Sequence, residues 1–225
     1  MITVKVNGEE RQYPQGATYE DVANDYQKEY DNLIALAARD GKIRELFKKL
    51  TRDCEITFFT LKDNVGNKTY VRSATMLFLK AVFDVYGREA AQNCRVEFAV
   101  GNGSYISPRG QIASTADNAA KIQDRMRELV AAKTPFLKRS YALDNAMELF
   151  HTEGMKDKEK LFRYRRGSFV NIYEMDGYYD YYYGYMLPNA GYVKWFDVIA
   201  YDEGFMLLLP DKQDPTNVKP FVERK

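Results

Sequence analysis

Gly177-Tyr178-Tyr179-Asp180-Tyr181-Tyr182-Tyr183-Gly184-Tyr185-Met186-Leu187-Pro188-Asn189-Ala190-Gly191 is the stretch whose reading decides the fold of this chain. It carries six of the 18 tyrosines. Its residues alternate in the manner of a strand, where positions two apart share a face. It ends in Pro-Asn-Ala-Gly, a turn signal. The pattern predicts a strand over Tyr178–Tyr185. Tyr182, Gly184 and Met186 fall on one face. Tyr179, Tyr181, Tyr183 and Tyr185 fall on the other.

The flanking segments extend this reading in both directions. Strands are expected at Phe169–Tyr173, Val193–Tyr201 and Phe205–Leu209. Upstream, Leu143 to His151 has helical periodicity, Phe136–Tyr141 reads as extended, and Asp117 is a candidate cap for a helix over Asn118–Ala132. Val96–Val100 and Tyr105–Ile112 read as strands around the turn Gly101-Asn102-Gly103. A helix is expected from Ser73 to about Tyr86, closed by Gly87. Its apolar positions Met76, Leu77, Leu79, Ala81, Val82, Phe83 and Tyr86 cover more than one face, so it is expected to be central and buried.

Residues 1–62 read as a separate small unit. Ile2, Val4 and Val6 alternate with polar residues, and Asn7-Gly8 is a hairpin signal leading to a strand at Arg11–Pro14. Thr18 with Asp21 resembles a capping box that opens a helix to about Tyr30, with Val22, Ala23 and Tyr26 inward. Strands at Leu33–Arg39 and Cys54–Leu61 follow, the first closed by Asp40-Gly41. Two strands, a helix and further strands suggest a β-grasp arrangement. Lys62 to Asn67 is a polar break, placed as the boundary. The stretch after Pro210, through Lys225, reads as a linker. The fold class expected overall is α+β.

The bulk numbers limit the functions available. With 33 basic and 32 acidic residues the formal charge is +1. A protein devoted to gripping a phosphate backbone carries a marked basic surplus. The local runs Lys42, Arg44, Lys48, Lys49 and Arg52, and Arg163, Arg165 and Arg166, read as solvated faces or strand edges. No apolar run approaches a membrane span, and the start lacks a signal-peptide pattern. The cytosol is the expected compartment. Cys54 and Cys94 lack CxxC spacing and read as small apolar residues.

His151 is the one histidine. A histidine metal cluster within the chain is therefore excluded, and any histidine-dependent triad would need this residue. Its place in a last helical turn favours a role at the helix dipole. The phosphate-binding pattern GxxxxGK followed by Ser or Thr is absent. HExxH, GxSxG and zinc-ribbon spacings are absent too. Asp176 and Asp180 flank the tyrosine run without forming an acid–base pair.

On these residues the chain resembles a known pairing. Residues 1–62 resemble a TGS domain, and residues 63–209 resemble the editing domain of threonyl-tRNA synthetase, shared with alanyl-tRNA synthetase. Asp180, Gly184, Pro188, Asn189, Gly191, Lys194 and Phe196 fit the synthetase pattern without a gap. The family's editing site uses an HxxxH pair on the first helix and a Cys and a His four apart on the later stretch. Those positions fall here on Arg72 and Met76, and on Tyr182 and Met186. None is a zinc ligand or a base near neutral pH, so the resemblance implies a degenerate site without hydrolase activity.

The same two domains also precede P-loop kinases of the uridine kinase type. This resemblance implies a regulatory or ligand-binding region ahead of a kinase domain. ATP and Mg would belong to that domain, with no cofactor, metal or catalytic residue in this chain. A pocket of Arg72, Met76, Asp180, Tyr182 and Met186 would hold a nucleoside or nucleotide, since an arginine facing an aromatic ring stacks a base or pairs a phosphate. The same bulky residues could instead fill the old cavity. A tRNA-binding module is the alternative, which the near-neutral charge disfavours. An active editing hydrolase ranks last.

Overall fold

The computed structural model describes residues 1–165 and 167–222. Strands β1 (Ile2–Val6) and β2 (Glu9–Tyr13) pair antiparallel through Asn7 and Gly8. Both turn residues have positive φ, 51° and 89°, as a two-residue hairpin requires. Helix α1 (Tyr19–Tyr26) starts with the reciprocal cap anticipated from sequence. Thr18 Oγ1 accepts the Asp21 N–H at 3.2 Å, and the Asp21 carboxylate accepts the Thr18 N–H at 2.7 Å. Tyr19, Val22, Ala23 and Tyr26 are its buried residues.

Strands β3 (Ile34–Arg39), β4 (Lys42–Glu45) and β5 (Cys54–Thr60) complete a five-stranded sheet in the order β2-β1-β5-β3-β4. β1 runs parallel to β5 and the other pairs are antiparallel. This mixed sheet, crossed by one helix, is a β-grasp topology. Strand β4 was not expected: Lys-Ile-Arg-Glu is short and mostly charged, which is weak strand chemistry.

Helix α2 (Asn64–Tyr86) spans 23 residues and begins well before Ser73. The polar break Lys62–Asn67 runs into the start of this helix. Asp63 is the N-cap; Asn64 is exposed, whereas Gly66 is buried where an added Cβ would stand 2.0 Å from the Thr60 carbonyl oxygen. Leu36 of β3 and Leu61, just after β5, join Tyr70, Ala74, Leu77 and Phe78 of α2 in one apolar cluster. The helix is buried on several sides, as its apolar pattern predicts.

Helix α3 (Arg88–Asn93) leads into β6 (Arg95–Val100) and β7 (Gly103–Ser107). Helix α4 (Ala116–Ala131) is capped by Thr115, not Asp117: Thr115 Oγ1 accepts the Asn118 N–H at 3.2 Å. Strand β8 (Leu137–Ala142), helices α5 (Leu143–Thr152) and α6 (Lys156–Phe162), and strands β9 (Phe169–Met175) and β10 (Tyr178–Asp180) follow. The chain ends with β11 (Asp197–Tyr201) and β12 (Gly204–Leu208). These strands form two antiparallel sheets, β10-β9-β8 and β11-β12-β7-β6. α3 and α6 are too short for their periodicity to be read.

The tyrosine stretch departs most from expectation. Its strand stops at Asp180 instead of running to Tyr185. Beyond that point side chains, not a neighbouring strand, take up the backbone carbonyls. Tyr173 Oη donates to the Gly184 carbonyl at 3.0 Å, and Arg72 Nη1 donates to that of Tyr185 at 3.2 Å. Gly184 sits at φ +129°, outside strand geometry.

The segment after Pro210 is packed against the four-stranded sheet as far as the described residues run. Val218 and Phe221 join Tyr105, Met206 and Leu208, and the Phe221 ring lies 5.0 Å from that of Tyr201. Residues 223–225 of that segment, and Arg166 of the second basic run, lie outside the described residues. Among the described residues no helix is long and apolar enough to cross a membrane.

Candidate functional site

The site is built where α2 passes beneath the irregular half of the tyrosine stretch. Arg72 and Met76 are one turn apart on α2. Met76 and Met186 are both fully buried in the main core. Ser73, between them on the helix, ties the two segments together. Its Oγ donates to the Thr69 carbonyl at 2.9 Å and accepts the Leu187 N–H at 3.0 Å, with Met186 Sδ at 3.9 Å. The Arg72 guanidinium lies against Gly184, where an added Cβ would stand 2.6 Å from Arg72 Cζ. Two methionines and an arginine thus occupy this part of the site as packed or hydrogen-bonded structure.

Asp180 and Tyr182 face elsewhere. They border a cavity of about 280 Å³ whose walls also include Thr75 of α2, Arg95 of β6, and Asp157 and Lys158 of α6. Lys158 Nζ is 3.3 Å from both Asp157 and Asp180. Burial, the largest single influence, would raise the Asp157 pKa, but the charge and hydrogen bonds of Lys158 together with the Arg95 charge hold the carboxyl below its ordinary range. Burial alone would lower that of Lys158, and the two carboxylates more than reverse this. The Tyr182 hydroxyl is buried and has no hydrogen-bond partner among the described residues. Its burial, with the Asp180 charge close by, pushes its pKa well up. It is therefore a neutral donor at pH 7, not a nucleophile or base.

Among the five residues singled out from sequence, then, Asp180 and Tyr182 share an open cavity, while Met76 and Met186 share a core. Arg72 braces the loop between them. The expected single inward face of Tyr182, Gly184 and Met186 does not form, because the chain leaves strand geometry between them. On the expected outer side, Tyr183 is 86% exposed, whereas Tyr181 packs edge-on against Phe162 with centroids 4.6 Å apart.

Sequence reasoning missed Glu45 and Lys158. Glu45 is 3% exposed and accepts three donors: the Tyr173 hydroxyl, the Met186 N–H at 3.2 Å and Lys138 Nζ at 3.0 Å. Burial, with Glu45 beside it, raises the Tyr173 phenol. One signal was available for Glu45, since period two places it on the same face as Ile43. Lys158 sits in the run Lys156-Asp157-Lys158-Glu159-Lys160, which looks like any solvated surface.

The lone histidine, His151, is in the last turn of α5 and solvent-exposed, with Nδ1 3.2 Å from Glu159 Oε1. It is not among the residues lining the cavity. Among the described residues no group of three His, Cys, Asp or Glu side chains is placed to hold a metal ion. Burial pushes the Cys94 thiol, at the cavity wall, up to about 12.

A second concavity lies between the segment after β4 and β8. It is a groove of about 680 Å³ bordered by Lys48, Lys49, Lys133, Lys138 and Arg139, with Glu20 the one acidic residue in its lining. Lys138 is engaged with Glu45 and Arg139 with Glu174 at 3.0 Å.

No family model matches the chain. Threonine–tRNA ligases do resemble it. That of Thermotoga maritima is 27% identical over 208 residues, 88% of this chain and 30% of the ligase. That of Rhizobium etli (strain CIAT 652) is 28% identical over 189 residues, 83% of this chain and 28% of the ligase. That of Porphyromonas gingivalis (strain W83) is 25% identical over 194 residues, 84% and 29%. The chain spans about three tenths of the length of these relatives. Most of this chain is thus similar to part of a threonyl-tRNA synthetase, and its α+β fold resembles the editing domain of that enzyme.

Proposed function

We propose that this chain is a non-hydrolytic ligand-binding region built on a synthetase-type editing scaffold. One observation carries the reading. The four positions that match the editing residues hold Arg72, Met76, Tyr182 and Met186, and both methionines are packed into core. Hydrolysing an aminoacyl ester needs an activated water or nucleophile, and these side chains supply no base at neutral pH. The cavity beside Tyr182 and Asp180 retains polar walls and room for a small molecule.

In this reading the two expected units, a TGS-like domain over 1–62 and an editing-like domain over 63–209, serve a larger cytoplasmic protein. A P-loop nucleoside kinase domain in cis, using ATP and Mg, is the context that the resemblance suggests. The decisive experiment is a deacylation assay with Ser-tRNA. No release above the spontaneous rate is expected; release that vanished in Tyr182→Ala would overturn the reading. Finding the P-loop pattern downstream in the gene would support the kinase context, and finding a synthetase catalytic domain would refute it.

The basic groove favours a second reading, in which the region holds RNA without cutting it. Lys48, Lys49 and Lys133 are exposed around it, and each phosphate contact adds salt dependence to binding. Filter binding of tRNA at two salt concentrations decides this: binding that weakens steeply with salt supports it, and its absence defeats it.

A further inference from the structure

We propose that the cavity between α2, α6 and β10 takes an uncharged, hydroxyl-bearing ligand of nucleoside size and discriminates against its phosphorylated form. This rests on the ligand-binding reading above and specifies the class of ligand.

Size is the first argument. About 280 Å³ lies at the small end of ligand pockets, which run from roughly 300 to 1,000 Å³. One base with its sugar fits that scale; a polyphosphate or an oligonucleotide does not.

Charge is the second. The walls carry two cations, Arg95 and Lys158, and two anions, Asp157 and Asp180, which cancel formally. Both cations are already engaged. Lys158 sits between the two carboxylates at 3.3 Å from each. Arg95 Nη1 donates to the carbonyls of Gln92 at 2.6 Å and Cys94 at 2.9 Å. A phosphate dianion here would lie close to Asp157 or Asp180. Like charges a few ångströms apart, partly shielded from water, repel strongly.

Donor and acceptor pairing is the third argument. Lys158 offers N–H donors, and Asp157 and Asp180 offer acceptors, in one cavity wall. Sugar hydroxyls meet this arrangement, since their oxygens accept from Lys158 and their O–H groups donate to the two carboxylates. Rings of Tyr178 and Tyr181 provide apolar wall beside them.

The test is calorimetric titration of the 225-residue chain with uridine, adenosine, and the 5′-monophosphate of each. The expected result is binding of a nucleoside, with its monophosphate weaker by roughly tenfold or more. Asp157→Asn, which removes one anion, should narrow the gap between nucleoside and monophosphate; an unchanged gap overturns the charge argument. A monophosphate that binds as tightly as its nucleoside overturns the inference but leaves the ligand-binding reading intact. Failure of every probe to bind also overturns it, while Ser-tRNA deacylation by the same preparation would overturn the underlying reading instead.

Discussion

Glu45 Oε1 accepts the backbone N–H of Met186 at 3.2 Å, joining two residues 141 positions apart in sequence. A carboxylate on the last-placed strand of the first sheet thereby holds the loop that follows β10. The Tyr173 hydroxyl and Lys138 Nζ donate to the same group. Removing it takes the acceptor from the buried Met186 N–H and the half-buried Lys138 ammonium, while the Tyr173 hydroxyl keeps the Gly184 carbonyl. Glu45→Ala should destabilise the chain by about 3 kcal/mol. Glu45→Gln, which keeps one acceptor oxygen, should cost less. Urea unfolding measures both, and an unchanged midpoint in Glu45→Ala would show that the loop is held by packing alone.

Arg72 and Gly184 form a second such relationship. Gly184 has φ +129° and would place a Cβ 2.6 Å from Arg72 Cζ. Gly184→Ala therefore meets both backbone strain and a clash, and should cost about 1–3 kcal/mol. The clash disappears when the arginine is shortened, while the strain does not. In a double-mutant cycle, Arg72→Ala should recover part of the Gly184→Ala loss. Additive losses would place the whole penalty in the backbone.

The N-terminal sheet was legible because its signals are local. Asn7-Gly8, the Thr18–Asp21 cap and the alternation of Ile2, Val4 and Val6 each act within a few residues. The candidate site was legible only in part. Arg72, Met76, Tyr182 and Met186 were singled out by the resemblance to the synthetase pattern, and nothing in their own spacing marks them. What those residues do depends on Glu45, Tyr173 and Ser73, which take the backbone groups of residues 184–187 away from any strand ladder. The pairings of Glu45 with Met186 and of Ser73 with Leu187 cross more than a hundred positions and leave no periodic trace. Alternation alone therefore extended β10 past Asp180. Lys158 was hidden for a different reason: an acid–base run looks the same whether it faces water or a cavity.

The two thiols offer a chemical check on burial. Cys94 is buried, and that burial pushes its thiol up to about 12. Cys54 is partly buried and also raised, by its own burial. Thiolate is the reactive form, so the folded chain should react slowly with Ellman's reagent at pH 8, Cys94 the slower of the two. Both should titrate at once in urea. Rapid native reaction of Cys94 would place it in solvent and redraw the cavity wall.

The Asp157–Lys158–Asp180 cluster sets a pH dependence whose sign follows from the shifts. Asp157 is held below its ordinary 3.8, so its contribution is present above that value and fades as pH falls through the lowered one. Lys158 is held above its ordinary 10.5, so its contribution is complete below 10.5 and fades as pH rises through the raised value. The cluster should therefore stabilise the fold most between about pH 5 and pH 10. Lys158→Met removes the cation and leaves two carboxylates facing each other, which should cost about 1–2 kcal/mol at pH 7. Acidification protonates Asp157, removes the repulsion and relieves the variant more than the parent. The stability difference between the two should accordingly shrink as pH falls from 6 to 3 in urea unfolding. A difference that stayed constant over that range would mean Lys158 contributes by packing, not by charge.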